Sequence, residues 1–161
     1  MGTKLVRPVQ ENPVVSSPYG PRPGIGNGFH DGIDYINGYD KGEDNWRGNR
    51  NVVAMCDGTV IFDYDSYNAQ FRWGGNGGKD TAGNMVIIKH NINGKEYFIR
   101  YLHLKENVVS LGQRVTRGQV IGEYADYGYS FGEHLHVDVY TINWEPVNPT
   151  AMFLAGFNEE G

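Results

Sequence analysis

Apolar residues in this chain recur at every second position over short Val- and Ile-rich runs, and each run ends in glycine or another turn former. That period of two reads as β-strand, and no long segment shows the 3.6-residue period of an amphipathic helix. RNVVAMCDGTVIFDYD predicts two short strands about an Asp57-Gly58 turn. GNMVIIKHNINGKEYFIRYLHL predicts a hairpin whose tip, Asn93-Gly94, supplies the positive φ angles of a tight turn. GQRVTRGQVIG follows with turns or tight bends at Gly112, Gly118 and Gly122, and EHLHVDVYTI is a last strong strand. SYNAQFRWGGNGGKDTAG is too polar and glycine-rich to pack well and reads as a surface loop, and TAMFLAGF after Asn148-Pro149 predicts one or two helical turns. The expected fold is all-β: a compact antiparallel barrel or sandwich with long surface loops and at most short helices. Residues 1–15 are expected as an irregular arm, 16–155 as the domain, and 156–161 as a tail.

Composition narrows the function. The 161 residues suit one domain with a real core. A formal charge of −5, with 14 basic and 19 acidic side chains mixed along the chain, builds no basic stripe and argues against nucleic-acid binding. Cys56 is the single cysteine, which excludes an intramolecular disulfide and any multi-cysteine zinc cluster. A metal would therefore have to use histidine and carboxylate. No apolar run approaches the roughly 20 residues of a membrane span, and MGTKLVRPVQENPVV carries no apolar secretion segment. The expectation is a protein released by lysis, borne on a particle such as a phage, retained in the cytoplasm, or cut from a longer parent chain. Without a heptad or an apolar stripe, a monomer is expected.

The five histidines carry the chemistry. In GNGFHDGIDYING, His30 and Asp34 are an even number of residues apart and project to one side of an extended strand. In EHLHVDVY the alternation puts His134, His136, Asp138 and Tyr140 on one face and Leu135, Val137 and Val139 on the other. The same count in EYFIRYLHL aligns His103 with Tyr97, Ile99 and Tyr101, an aromatic-walled face, and His90 reads as structural. A catalytic zinc takes three nitrogen or oxygen ligands and leaves one position for water. His30, Asp34 and one of the pair His134/His136 would supply those three. The remaining histidine of that pair, with His103, would stand beside the water for the proton transfers of amide hydrolysis.

These residues match a known pattern. HDGID at 30–34, YLHL at 101–104 and HLH at 134–136, with SPYGPR, VVAMCDGTV, GNMVIIKH, GQRVTRGQVIGEYADYGYSFGEHLHVDV and VNP around them, resemble the lysostaphin-type (LytM-like) zinc endopeptidases over roughly residues 16–150. The resemblance implies Zn2+ bound by His30, Asp34 and His136, with His103 and His134 as the catalytic pair. It implies an antiparallel β fold of the duplicated hybrid motif type, with the metal in a groove walled by loops. It further implies that the partner is bacterial peptidoglycan, cut in its peptide stems or cross-bridges, often at Gly-Gly bonds and sometimes at bonds involving D-Ala or diaminopimelate. The loop from Asp65 to Gly83 is longer than the pattern leads one to expect, and no wall-targeting module accompanies the domain. The competing reading is a non-catalytic wall-binding domain, or a phage tail component, of the same fold.

Weaker signals surround the motifs. Tyr19, Arg22 and Tyr101 are candidate substrate contacts, although an arginine bracing its own loop is an equal reading of Arg22. Trp46 and Trp73 fall in polar loops, where indoles stack on ligands or cover apolar surface. Cys56 reads as a small buried hydrophobe, and Asp138 as a group that supports a histidine or faces solvent.

Overall fold

The computed structural model describes residues 2–25, 27–43, 46–64, 84–125 and 134–158. The expected loop at 65–83, with Trp73, lies outside them. Among the described residues, twelve strands precede one helix: β1 (Pro13–Ser17), β2 (Gly20–Pro21), β3 (Phe29–His30), β4 (Ile33–Asn37), β5 (Asn51–Val53), β6 (Gly58–Tyr64), β7 (Asn84–Ile92), β8 (Lys95–Asn107), β9 (Arg114–Val115), β10 (Val120–Tyr124), β11 (Leu135–Thr141), β12 (Pro146–Val147) and α1 (Thr150–Asn158). The fold is all-β and antiparallel, as the alternation predicts.

The main sheet runs β1-β4-β11-β8-β7-β6-β9, and β2 and β3 form a separate ribbon. The 13-residue β8 joins both parts of the sheet: its residues up to Leu104 pair with β7 and several of them with β11, while Leu104, Glu106 and Asn107 pair with β10, which also pairs β5. Between the layers lies one core, in which Val52, Met55 and Ile121 from one side join Ile88, Ile99, Tyr101 and Val137 from the other. Burying each such aliphatic or aromatic side chain contributes roughly 1.5–3 kcal/mol, which is what holds the layers together.

The Asn93-Gly94 hairpin is present, with φ of 56° and 86° at the two tip residues. The Asp57-Gly58 prediction needs correction. Both flanking strands exist, but they do not pair: β5 joins β10, and β6 joins β7 and β9. Gly58 serves close approach instead, since a Cβ there would fall 2.6 Å from both the Ile88 side chain and the Lys89 carbonyl. The two ends of the chain join the core. Leu5 and Val9 of the expected arm are core residues, and α1 continues to Asn158, past the expected boundary at 155. Leu5 N–H donates to Gly156 O, and its side chain occupies the space a Cβ at Gly156 would need. Among the described residues no helix is long and apolar enough to cross a membrane.

Candidate metal and catalytic site

The site forms where β3, β4, β8 and β11 meet. Asp34 and His136 are register partners across β4 and β11, and His136 is likewise opposite Leu102 on β8. His30 arrives from β3, two residues before the chain turns into β4. That turn needs its glycine: a Cβ at Gly32 would lie 2.3 Å from Val137 O and 2.7 Å from the His136 ring. The glycine of HDGID is thus required by space.

Three lone-pair atoms converge. His30 Nε2 lies 3.1 Å from Asp34 Oδ1 and 3.2 Å from His136 Nδ1, and His136 Nδ1 lies 2.9 Å from the same carboxylate oxygen. Tetrahedral zinc with ligands near 2.0–2.1 Å sets neighbouring donors about 3.3 Å apart, so the set fits the ion in both spacing and chemistry. The opposite ring nitrogens are occupied, which fixes the tautomers. His30 Nδ1 donates to Pro18 O at 2.9 Å, with Ser17 Oγ at 3.3 Å, and His136 Nε2 donates to Asp138 Oδ2 at 3.1 Å. With those outer nitrogens as donors, each imidazole can turn a lone pair inward once its inner nitrogen gives up any proton.

The electrostatics follow from burial and these bonds. Burial would raise the Asp34 carboxyl, but hydrogen bonds from His136 and His30 outweigh it and hold the group well below the usual carboxylate range. Burial would lower His136, yet its bonds to Asp138 and Asp34 carry it up to about 9. Asp138 is 1% exposed; burial would raise it, and its hydrogen bonds to Arg100 and His136 bring it below the usual range.

His103 and His134 stand beside this cluster, their ring centroids 4.8 Å apart and His134 Nε2 3.6 Å from Asp34 Oδ2. Simple alternation would aim His103 into the core with Tyr101. Instead His103 has φ of 67°, and between Tyr101 and Leu104 β8 holds one residue more than β7 does between Val86 and Asn84. This bulge turns the imidazole toward His134.

The remaining candidates divide. Arg22 spans the loop, with Nη1 3.3 Å from Ser17 Oγ and 3.7 Å from Asp34 Oδ2, so it reaches the site's edge as a brace. Tyr19 is half-buried and packs edge-on against Phe29 at 5.2 Å. Tyr101 is not brought to the site. It is fully buried, and its hydroxyl accepts from Met55 N–H at 3.1 Å and donates to His90 Nε2 at 3.0 Å, so it is withdrawn as a substrate contact. His90 is structural, its Nδ1 donating to Asp57 O at 3.0 Å with Cys56 Sγ at 3.4 Å. Trp46 lies under the Arg50 guanidinium, 5.4 Å from ring to cation.

Sequence reasoning missed Arg100. Its guanidinium holds Asp138 through Nε at 2.7 Å and Nη2 at 2.6 Å. The available signal was a single cation inside the apolar run YFIRYLHL, opposite Asp138 in register.

The sequence pattern of peptidase family M23 matches residues 28–149. The peptidoglycan DD-endopeptidase ShyA of Vibrio cholerae is 45% identical over 67 residues, covering 42% of this chain and 15% of that protein. The chain spans only a minor part of the length of the curated relatives it matches. The catalytic domain of the antimicrobial peptidase lysostaphin from Staphylococcus simulans superposes with a TM-score of 0.64 at 25% identity, over 89% of this chain and 93% of that one. A zinc-containing peptidase from Vibrio cholerae does so at 0.60 and 28% identity, over 88% of this chain and 37% of the other.

Proposed function

We propose, from the premise that the chain belongs to peptidase family M23, that it is a zinc-dependent endopeptidase hydrolysing peptide bonds in the stems or cross-bridges of bacterial peptidoglycan. The observation that carries the reading is the convergence of His30 Nε2, Asp34 Oδ1 and His136 Nδ1 beside the His103–His134 pair.

His30, Asp34 and His136 would hold a zinc ion, whose Lewis acidity would lower the pKa of a water and polarise a scissile carbonyl. The chain's own groups supply the rest. Of His103 and His134, one accepts the proton of the attacking water, and the other steadies the oxyanion or protonates the departing amine. Asp34 is already ionised before any metal binds, because its hydrogen bonds outweigh the cost of burial. Asp138, clamped by Arg100, keeps the His136 lone pair aimed inward. The substrate class follows from what the ShyA name states of that relative, and the site of action is accordingly the bacterial wall.

The test is mass spectrometry of soluble products after zinc-loaded protein meets purified peptidoglycan of the glycine-bridged and the diaminopimelate types. New peptide termini that disappear with a chelator are the expected result and name the bond. Intact walls of both types, with zinc demonstrably bound, would overturn the assignment.

A further inference from the structure

At the end of the sheet away from the histidine cluster, a cavity of about 300 Å³ opens among the N-terminal segment, the β5–β6 link, the β7–β8 hairpin end and the β9–β10 turn. Lys4, Lys89, Arg114 and Arg117 line it, against two acids, Asp57 and Glu96. This excess of positive charge runs against a chain whose formal charge is −5. Glu96 lies on β8 six positions before Leu102, the register partner of His136, which at strand rise is about 20 Å. The cavity is therefore separate from the metal-binding cluster.

The cations are poorly matched within the protein. Lys89 pairs with Glu96 at 3.5 Å, between two half-exposed side chains. Arg114 reaches only the neutral hydroxyl of Thr59, at 3.3 Å. The side chains of Lys4 and Arg117 have no hydrogen-bonded or ionic partner among the described residues. Asp57 is engaged by the backbone N–H of Arg117 at 2.8 Å, not by a side-chain cation. Cys56, which also borders the space, is no nucleophile: burial pushes its thiol up to about 12. The cavity therefore carries an excess of positive charge that the protein itself leaves largely uncompensated.

We propose that this cavity binds a phosphate ester of a small polyol or sugar. Two guanidinium forks and an ammonium from separate segments suit a tetrahedral group with several anionic oxygens. A planar carboxylate would engage one fork and leave the other cations uncompensated. The volume exceeds that of inorganic phosphate alone, and Thr59 and Asn91 offer hydroxyl and amide groups for the attached alcohol. The assignment stands on the cavity's own charge and shape, independently of any peptidase activity.

The experiment is a two-dimensional amide NMR titration of the full chain at physiological ionic strength with glycerol 3-phosphate, inorganic phosphate and acetate. Saturable shifts at Asp57, Gly58 and Arg117 are expected, with affinity about tenfold weaker in Arg117→Ala and in Lys4→Ala, the loss of one charge-assisted contact. Tighter binding of the ester than of inorganic phosphate supports recognition of the alcohol as well. Equal binding of those two assigns the cavity to phosphate alone and removes the polyol from the proposal. Shifts confined to His30, Asp34 and His136, equal binding of acetate, or indifference to both substitutions would overturn it. Unperturbed amides elsewhere in each variant verify that it is folded.

Discussion

Arg100 grips Asp138 with two hydrogen bonds of 2.7 and 2.6 Å, and the carboxylate so held accepts a hydrogen bond from His136 Nε2. The inward nitrogen of His136 is thus oriented by a residue that reaches the ring only through Asp138. Outer partners of metal-bound histidines typically contribute 10- to 100-fold in metal affinity. Arg100→Met should weaken zinc binding by about that factor, read by competition with a chromophoric chelator. Arg100→Lys, which keeps the charge but not the fork, should fall between it and the parent. Affinity unchanged in both would mean that Asp138 holds His136 unaided.

The two histidines of HLH should separate by phenotype. His136→Ala and Asp34→Ala should lose zinc on dialysis, whereas His134→Ala should retain it and lose turnover by about 10²–10⁴-fold, the usual contribution of a positioned acid or base. Metal analysis of the three purified variants checks this. An empty His134→Ala beside a loaded His136→Ala would reverse the division of roles.

Zinc uptake should carry a pH signature. In the metal-free site His136 is held up to about 9 by Asp138 and Asp34, so below that pH the ion must displace a proton. Apparent affinity should rise about tenfold per pH unit for each proton released, between pH 6 and 8. An affinity independent of pH would contradict a proton at this position.

His90 provides a second, separable pH effect. Complete burial lowers it to about 4, only partly offset by its bond to Asp57 O. Because the folded value lies below the unfolded one, the unfolded chain binds the extra proton. Stability is then full above about pH 6.5 and falls as pH drops toward 4, by up to about 3 kcal/mol. Urea midpoints of chelator-treated protein at pH 7.5 and 4.5 measure the loss, and His90→Gln should show a shallower pH slope. An identical slope would place the acid sensitivity elsewhere.

Tyr101→Phe tests the correction made above. The hydroxyl bridges Met55 N–H and His90 Nε2 in the core, so its removal should cost roughly 1–3 kcal/mol through two unsatisfied groups. KM on any cleaved wall peptide should stay at the parent value. A raised KM with unchanged stability would return Tyr101 to the substrate groove.

What could be read from the sequence, and what could not, divides along local and non-local physics. The Asn93-Gly94 hairpin and the alternation of β11 are set by adjacent residues, and both appear as the pattern indicates. Counting fails at β8, because one inserted residue changes which face His103 takes, and nothing in YLHL announces it. Asp57-Gly58 looks like a hairpin tip, but its glycine answers to Ile88 and Lys89 on another strand. Leu5 and Gly156 meet from opposite ends of the chain, a contact that neither segment's composition indicates.

The left-handed backbone at His103 constrains how such a site can arise or be moved. Placing histidines by residue identity on a regular antiparallel ribbon would aim the third imidazole into the core, opposite its partner. A transplant must carry the extra residue of β8 as well, together with the Ala125 N–H that bonds the His103 carbonyl. The heritable unit is therefore an insertion with its side chain. A lineage that deleted that single residue would keep every histidine and lose the pair.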